Sequence, residues 1–140
     1  MASIFTKIIH GDAPGRFVWK DAVCVGLVSI APLRPGHTLV IPRKEVDHWL
    51  DLDDRTMAHL TQVAKSIGQG LMHAFKPEKV GLMIAGLEVR HVHLHVVPIN
   101  EIADMDFARQ DPNATAVDLD RAAERIRESL RAMGFQEAAG

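Results

Sequence analysis

Three histidines recur at alternate positions in His91-Val92-His93-Leu94-His95-Val96-Val97. An imidazole can act near neutral pH as nucleophile, proton donor, proton acceptor or metal ligand. Side chains along a strand point to opposite faces in turn, so a strand over residues 91–97 puts three imidazoles on one side and Val92, Leu94 and Val96 on the other. Two kinds of centre suit such a row. A zinc ion asks for three or four ligands, with nitrogen at about 2.0–2.1 Å. The Cα atoms of His91 and His95 stand about 13 Å apart at the strand rise, so all three rings on one ion are strained. Nor is there a His-Glu-x-x-His helix, since His48, His59 and His73 are not four residues apart. A phosphoryl group is larger, carries negative oxygens that several imidazoles can meet from one side, and can be attacked by a neutral ring nitrogen. A histidine of ordinary pKa can also protonate the leaving group, which is worth typically ~10²–10⁴ in rate. The inert alternative is a set of surface histidines on an edge strand, and strict alternation against an apolar reverse face argues against it.

The elements that must position this row follow from periodicity and punctuation. Residues 17–19 and 23–30 are apolar, β-branched runs separated by Lys20-Asp21-Ala22 and read as a hairpin. Residues 31–36 contain two prolines and form a loop, after which residues 38–41 are a third strand with His37 at its mouth. Met57, Leu60, Ala64, Ile67 and Leu71 recur at three- and four-residue steps, predicting a long helix over residues 53–75, capped by Asp53 and Asp54 and ended by Pro77. Residues 80–84 are a fourth strand and residues 91–97 a fifth, stopped by Pro98. A polar linker spans residues 100–115, a second helix covers residues 118–133 with Leu119, Ala122, Ile126 and Leu130 on one stripe, and residues 136–140 form a loose tail. The fold class is α+β: an antiparallel sheet, one long central helix across it and a C-terminal helical extension.

Composition narrows the function. The chain has 140 residues, 24% of them charged, with a net charge of −2 and both signs interleaved. That gives no basic field for nucleic acid or a membrane surface, so a ligand must be recognised locally. No apolar run approaches the roughly eighteen residues needed to cross a bilayer. Cys24 is the only cysteine, which excludes an internal disulfide or multi-thiolate metal site and fits a cytoplasmic location. It reads as a small buried hydrophobe with no adjacent base.

The heptapeptide matches the signature of the histidine triad (HIT) superfamily, His-φ-His-φ-His-φ-φ with φ apolar. The opening Ile4-Phe5-Thr6-Lys7-Ile8-Ile9-His10-Gly11-Asp12-Ala13-Pro14 and Pro35-Gly36-His37-Thr38-Leu39-Val40-Ile41-Pro42 resemble its nucleoside phosphoramidase branch. The likeness covers residues 3–98. It divides the chain into a HIT domain over residues 1–99 and a C-terminal linker and helix over residues 100–140, packed on the same domain. The resemblance implies a five-stranded antiparallel sheet, joined to a second copy as a ten-stranded homodimer. It also implies hydrolysis or transfer at the α-phosphate of a nucleoside phosphoramidate, adenylated amine or dinucleoside polyphosphate, through a nucleotidyl-histidine and without metal or cofactor. By the same resemblance His93 is the nucleophile, and His95 contacts the phosphate and helps protonate the leaving group. His91 and His37 hold the tautomers and the proton relay in order. Ile4, Phe5, Ala13, Leu27 and Ile30 flank the purine, with core packing as their other use.

Three departures stand out. Ser29 replaces the branch's ribose-binding aspartate. Glu88 falls where the branch has a phosphate-contacting serine, and Arg90 is its nearest candidate partner or else a phosphate clamp. The connection over residues 85–90 is short and lacks the branch's asparagine, leaving Gly86 to offer a backbone N–H or a positive-φ turn. These departures keep open a second reading, a purine-nucleotide-binding or partner-binding module with little catalytic activity.

Overall fold

Asp21 closes the expected hairpin. Its carboxylate accepts from the backbone N–H groups of Val23 and Cys24 at 2.7 and 2.8 Å, the Asx-type turn that favours aspartate between strands. The structure is a computed structural model and describes residues 1–138. The strands are β1 (Phe17–Lys20), β2 (Cys24–Val28), β3 (Thr38–Pro42), β4 (Lys79–Ile84) and β5 (Leu94–Ile99). They form one antiparallel sheet in the order β1-β2-β3-β5-β4. α2 (Asp54–Phe75) and α3 (Ala116–Ala132) complete the anticipated α+β architecture, and α1 (Ile4–Ile9) is a further helix that the apolar run at residues 4–9 did not reveal.

The period of two sorts the sheet into two faces. Val18, Cys24, Val28, Val40, Leu94 and Val96 meet Leu60, Val63, Ala64, Ile67 and Leu71 of α2 and Leu119, Ala123, Ile126 and Leu130 of α3 in the main core. Val25, Leu27, Leu39 and Ile41 point the other way, under Phe5 of α1. His95 lies opposite Leu39 and Met83 in the ladders and shares that second face. Val92, Leu94 and Val96 are all buried. Each such side chain contributes about 1.5–3 kcal/mol by leaving water, and a one-residue slip would reverse every face. Core burial therefore fixes the direction of the histidines.

β5 differs from expectation at both ends. It begins at Leu94, because the backbone of Val92 leaves the sheet to donate to Val46 O at 2.8 Å, and it runs through Pro98 to Ile99. Pairing with β3 ends at Thr38 and Val96, whereas β4 continues to Lys79 and Ile99. Past Val96 one side of β5 is an edge, where a missing N–H costs no ladder bond.

α2 begins as expected and ends on a specific device. Asp53 caps α2 by accepting from Thr56 N at 3.1 Å, and Lys76 in the left-handed region (φ 51°) terminates it. Thr115 caps α3, which starts at Ala116, two residues before the expected start. The glycines of α2 have different uses. A Cβ on Gly70 would lie 2.9 Å from Leu130 Cδ2, whereas one on Gly68 would meet Val80 at an ordinary 3.5 Å. Gly68→Ala is therefore expected to stabilise the fold by about 0.5–1 kcal/mol through helix propensity. Gly70→Ala is expected to lose that gain by displacing Leu130. Urea denaturation of the two variants checks the pair.

The segment after β5 is more ordered than a polar linker suggests. It forms short 3-10 turns at Ile102–Met105 and Phe107–Arg109. Buried Asp104 holds the first turn by accepting from Asn100 N and Glu101 N at 2.8 and 3.2 Å. The C-terminal tail is docked: Phe135 packs on Trp19 at 5.5 Å between centroids, and Lys20 N donates to Glu137 O at 2.9 Å. The end of that tail, residues 139 and 140, lies outside the described residues. Among the described residues no helix is long and apolar enough to cross a membrane.

Candidate active site

Two sets of hydrogen bonds, one through His37 and His95 and one through His91 and His93, assign a tautomer to each of four histidines. Leu33 N donates to His37 Nδ1 at 3.0 Å, so the His37 proton resides on Nε2. That nitrogen lies 2.9 Å from His95 Nδ1 and donates to it, leaving the His95 proton on Nε2. His93 Nδ1 lies 2.7 Å from the carbonyl oxygen of His91. A carbonyl only accepts, so the His93 proton sits on Nδ1 and its Nε2 carries a free lone pair. His91 Nε2 donates to Pro42 O at 2.8 Å, and its Nδ1 receives the Ser3 hydroxyl at 2.7 Å. All eight ring nitrogens then have defined roles. Among the described residues, only two have no protein partner: the lone pair of His93 Nε2 and the proton of His95 Nε2.

Burial keeps these rings neutral. His37 and His91 are fully enclosed, and His93 and His95 are each 7% exposed. Desolvation, followed by the neighbouring His95 and His93, lowers the His37 pKa to about 3. Desolvation and then His93 lower that of His95 to about 4. Desolvation also lowers His93 and His91, against the opposing pull of the carbonyls each bonds.

Aromatic rings bound the pair from both sides. The Phe5 ring meets His93 edge-on at 5.0 Å and His91 at 5.8 Å, His93 and His95 are 4.8 Å apart, and Phe107 meets His95 at 4.8 Å. The His93 ring is thus in edge contact with Phe5 and His95. Two cavities of about 530 and 480 Å³ lie elsewhere, one beside Lys20 and Phe135 and one between Pro32–Gly36 and α3, and neither is lined by a triad histidine.

α1 is pinned to this site by a polar cluster. Glu45 Oε1 accepts from Ser3 N at 2.7 Å and Thr6 Oγ1 at 2.6 Å. The Ser3 hydroxyl both caps α1, accepting from Thr6 N at 3.0 Å, and donates to His91. Ser3→Ala removes a helix cap and strands a buried ring nitrogen, and is expected to cost about 1–3 kcal/mol of stability by thermal or urea unfolding.

The other residues singled out from sequence take varied positions. Leu27 is buried beneath Phe5, Ala13 is half-buried, and Ile4 and Ile30 are 46% and 75% exposed. Ser29 is buried beside the relay: its N–H donates to His37 O at 3.0 Å, and its hydroxyl oxygen accepts from Ala31 N at 3.3 Å. Gly86 has the expected positive φ, 79°. Glu88 and Arg90 are exposed on the connection before the triad, and Arg90 lies 3.9 Å from Asp47 in place of the pairing expected with Glu88. The structure thus brings together the four histidines, Phe5 and Ser29, and leaves Glu88 and Arg90 in solvent.

Sequence reasoning missed Phe107, the lone aromatic in residues 100–115, and Ser3, whose Ser-x-x-Thr spacing ahead of an apolar run is a capping signal. It also missed the backbone groups of Leu33, His91 and Pro42, which carry no side-chain signature.

A sequence model of the HIT domain matches residues 10–102. The chain belongs to the HIT family. Among its relatives, the adenosine 5′-monophosphoramidase hnt1 of Schizosaccharomyces pombe is 32% identical over 103 residues, spanning 70% of this chain and 74% of the relative. An uncharacterized HIT-like protein of Borreliella burgdorferi is 35% identical over 102 residues, spanning 68% and 73%. Among solved structures, a zinc-bound histidine triad family protein from Mycobacterium smegmatis superposes with a TM-score of 0.82 at 27% identity, covering 96% of each chain. A hypothetical histidine triad nucleotide-binding protein from Sulfolobus tokodaii superposes with a TM-score of 0.80 at 29% identity, covering 92% of each.

Proposed function

We propose that this HIT protein is a nucleotide hydrolase or nucleotidyl transferase that cleaves at the α-phosphate of a purine nucleotide conjugate through His93. The observation that carries the reading is the pair of free ring positions: a lone pair on His93 Nε2 next to a proton on His95 Nε2. The monophosphoramidase name of the S. pombe relative supports a nucleoside phosphoramidate as substrate, with adenylated amines and dinucleoside polyphosphates in the same chemical class.

His93 Nε2 attacks phosphorus, forming the N–P bond as the bond to the leaving group breaks. The incoming phosphate oxygens raise the pKa of His95, which takes a proton from solvent on Nδ1 as His37 shifts its own proton from Nε2 to Nδ1 and gives up the Leu33 bond, and His95 then gives its Nε2 proton to the departing atom. Positive charge on the His93 ring is met by the His91 carbonyl at Nδ1. Water next attacks phosphorus, His95 takes the water proton, and the His93–P bond breaks. His37 holds His95 in the tautomer that faces the substrate.

A metal is not required for these steps. Both nitrogens of His37 and of His91 are occupied, as is Nδ1 of His93 and of His95. Two free nitrogens fall short of the three or four ligands of a zinc site. A homodimer formed through β4 is part of the reading, supported by the unpaired outer edge of β4 and by Leu82, 51% exposed on it.

Rapid acid-free quenching of the protein with adenosine 5′-phosphoramidate, followed by intact-mass and peptide mass spectrometry, is expected to find a nucleotidyl adduct on His93. Steady turnover with an adduct on another residue, or with none at any quench time, overturns the covalent route.

A further inference from the structure

We propose that Asp21, Cys24 and His59 form a binding site for one zinc-class divalent cation that ties the β1–β2 hairpin to α2, on the helix-covered face of the sheet. It is independent of the proposed nucleotide chemistry and uses none of the four relay histidines. The three residues come from three places in the fold: the hairpin turn, the first residue of β2 and the second turn of α2.

The geometry suits a small ion. His59 Nε2 lies 2.7 Å and Cys24 Sγ 3.5 Å from Asp21 Oδ2, and the three atoms are all within 4.8 Å of one another. A circle through atoms so spaced has a radius of at most about 2.4 Å, against zinc bonds of about 2.3 Å to sulfur and about 2.0–2.2 Å to nitrogen or carboxylate oxygen. An ion at its centre lies near bonding distance of all three, and a tetrahedral array needs the 2.7 Å Nε2–Oδ2 pair to open to about 3.3 Å.

Chemistry and support point the same way. Thiolate, imidazole and carboxylate together select zinc, cobalt or a similar borderline ion over magnesium or calcium. Two anionic ligands neutralise a dication, which suits a site where Cys24 is fully buried and His59 is part-exposed and gives entry. Trp19 Nε1 donates to Asp21 Oδ2 at 2.8 Å, and Val23 N and Cys24 N hold Oδ1, so the carboxylate is already oriented from outside the ligand set. On binding, the Cys24 thiol proton is released to solvent, the His59 proton moves from Nε2 to Nδ1, and water completes a four-coordinate ion. Burial and the adjacent carboxylate push the thiol pKa up, and the cation reverses that penalty. The competing description is a hydrogen-bonded lock with no ion.

Cobalt(II) titration of reduced, tag-free, full-length protein separates the two. Binding of one equivalent with a thiolate-to-cobalt charge-transfer band, displaced by one equivalent of zinc, is expected. Cys24 is the sole cysteine, so the band reports this site alone. His93→Ala should keep the band. His59→Gln, a change at a part-exposed position, should weaken cobalt binding more than about tenfold and abolish any zinc-dependent rise in the thermal midpoint. Absence of the band in the parent protein, or unchanged cobalt affinity in His59→Gln, overturns the site and leaves the lock.

Discussion

Replacing His93 by alanine is expected to lower turnover of adenosine 5′-phosphoramidate by about 10⁴-fold or more, while the affinity for AMP, read by calorimetry, changes by less than about tenfold. Among the described residues, the ring contributes the only nitrogen of the four histidines that carries a lone pair without a partner, so none of the other three can replace it as nucleophile. Binding draws on groups that the substitution leaves in place, including His95 Nε2–H and Phe5. His95→Ala separates the two roles. It keeps the nucleophile and removes the proton donor, so its loss, about 10²–10⁴-fold on an amine leaving group, should shrink on a substrate whose leaving group departs unprotonated. His93→Ala should show no such recovery. If His93→Ala retains turnover within tenfold of the parent, phosphorus is attacked by some other group and the covalent reading fails.

The alternation of residues 91–97 was enough to predict which residues face the core and which face the site, because strand periodicity is a property of the backbone and the three aliphatic side chains can satisfy it in only one register. Where the sequence reading fell short, the missing information was tertiary or carried by the backbone. The stop expected at Pro98 assumed ladders on both sides of β5, and the sheet order removes one of them there. Leu33 N, His91 O and Pro42 O set three of the four tautomers, and any residue type would supply those same atoms. Phe107 reaches His95 only because Asp104 folds the chain into two short turns. Cys24 is the buried core residue its apolar run predicts, and its approach to Asp21 beside His59, 35 positions away in sequence, comes from the packing of α2 on the hairpin. The resemblance to the HIT family supplied what spacing alone left open, the grouping of His37 with the triad, and the structure accounts for it with one 2.9 Å bond.

Lowering the pH from 7.5 to 5 is expected to destabilise the fold by about 4 kcal/mol through His37 and His95 alone. An unfolded histidine takes up a proton near pH 6.5, whereas folding holds His37 down to about 3 and His95 down to about 4, chiefly by desolvation. Between pH 6.5 and pH 4 the unfolded chain therefore binds more protons than the native one, and stability falls as the pH falls, by about 1.4 kcal/mol per pH unit for each such ring. At pH 5 that amounts to about 2 kcal/mol apiece. His91 and His93, also lowered by burial, add in the same direction. The carboxylates work in a lower window: Glu45, held at about 2 by the Ser3 backbone N–H and the Thr6 hydroxyl, loses its contribution only below the ordinary carboxylate range. Urea midpoints measured at constant ionic strength should show the fall, and His37→Asn, which keeps a polar side chain but cannot titrate, should remove about half of it. A flat profile between pH 7.5 and pH 5 would mean that the rings are solvated or already protonated in the native state. The neutral relay, and with it the free lone pair on His93, would then have to be abandoned.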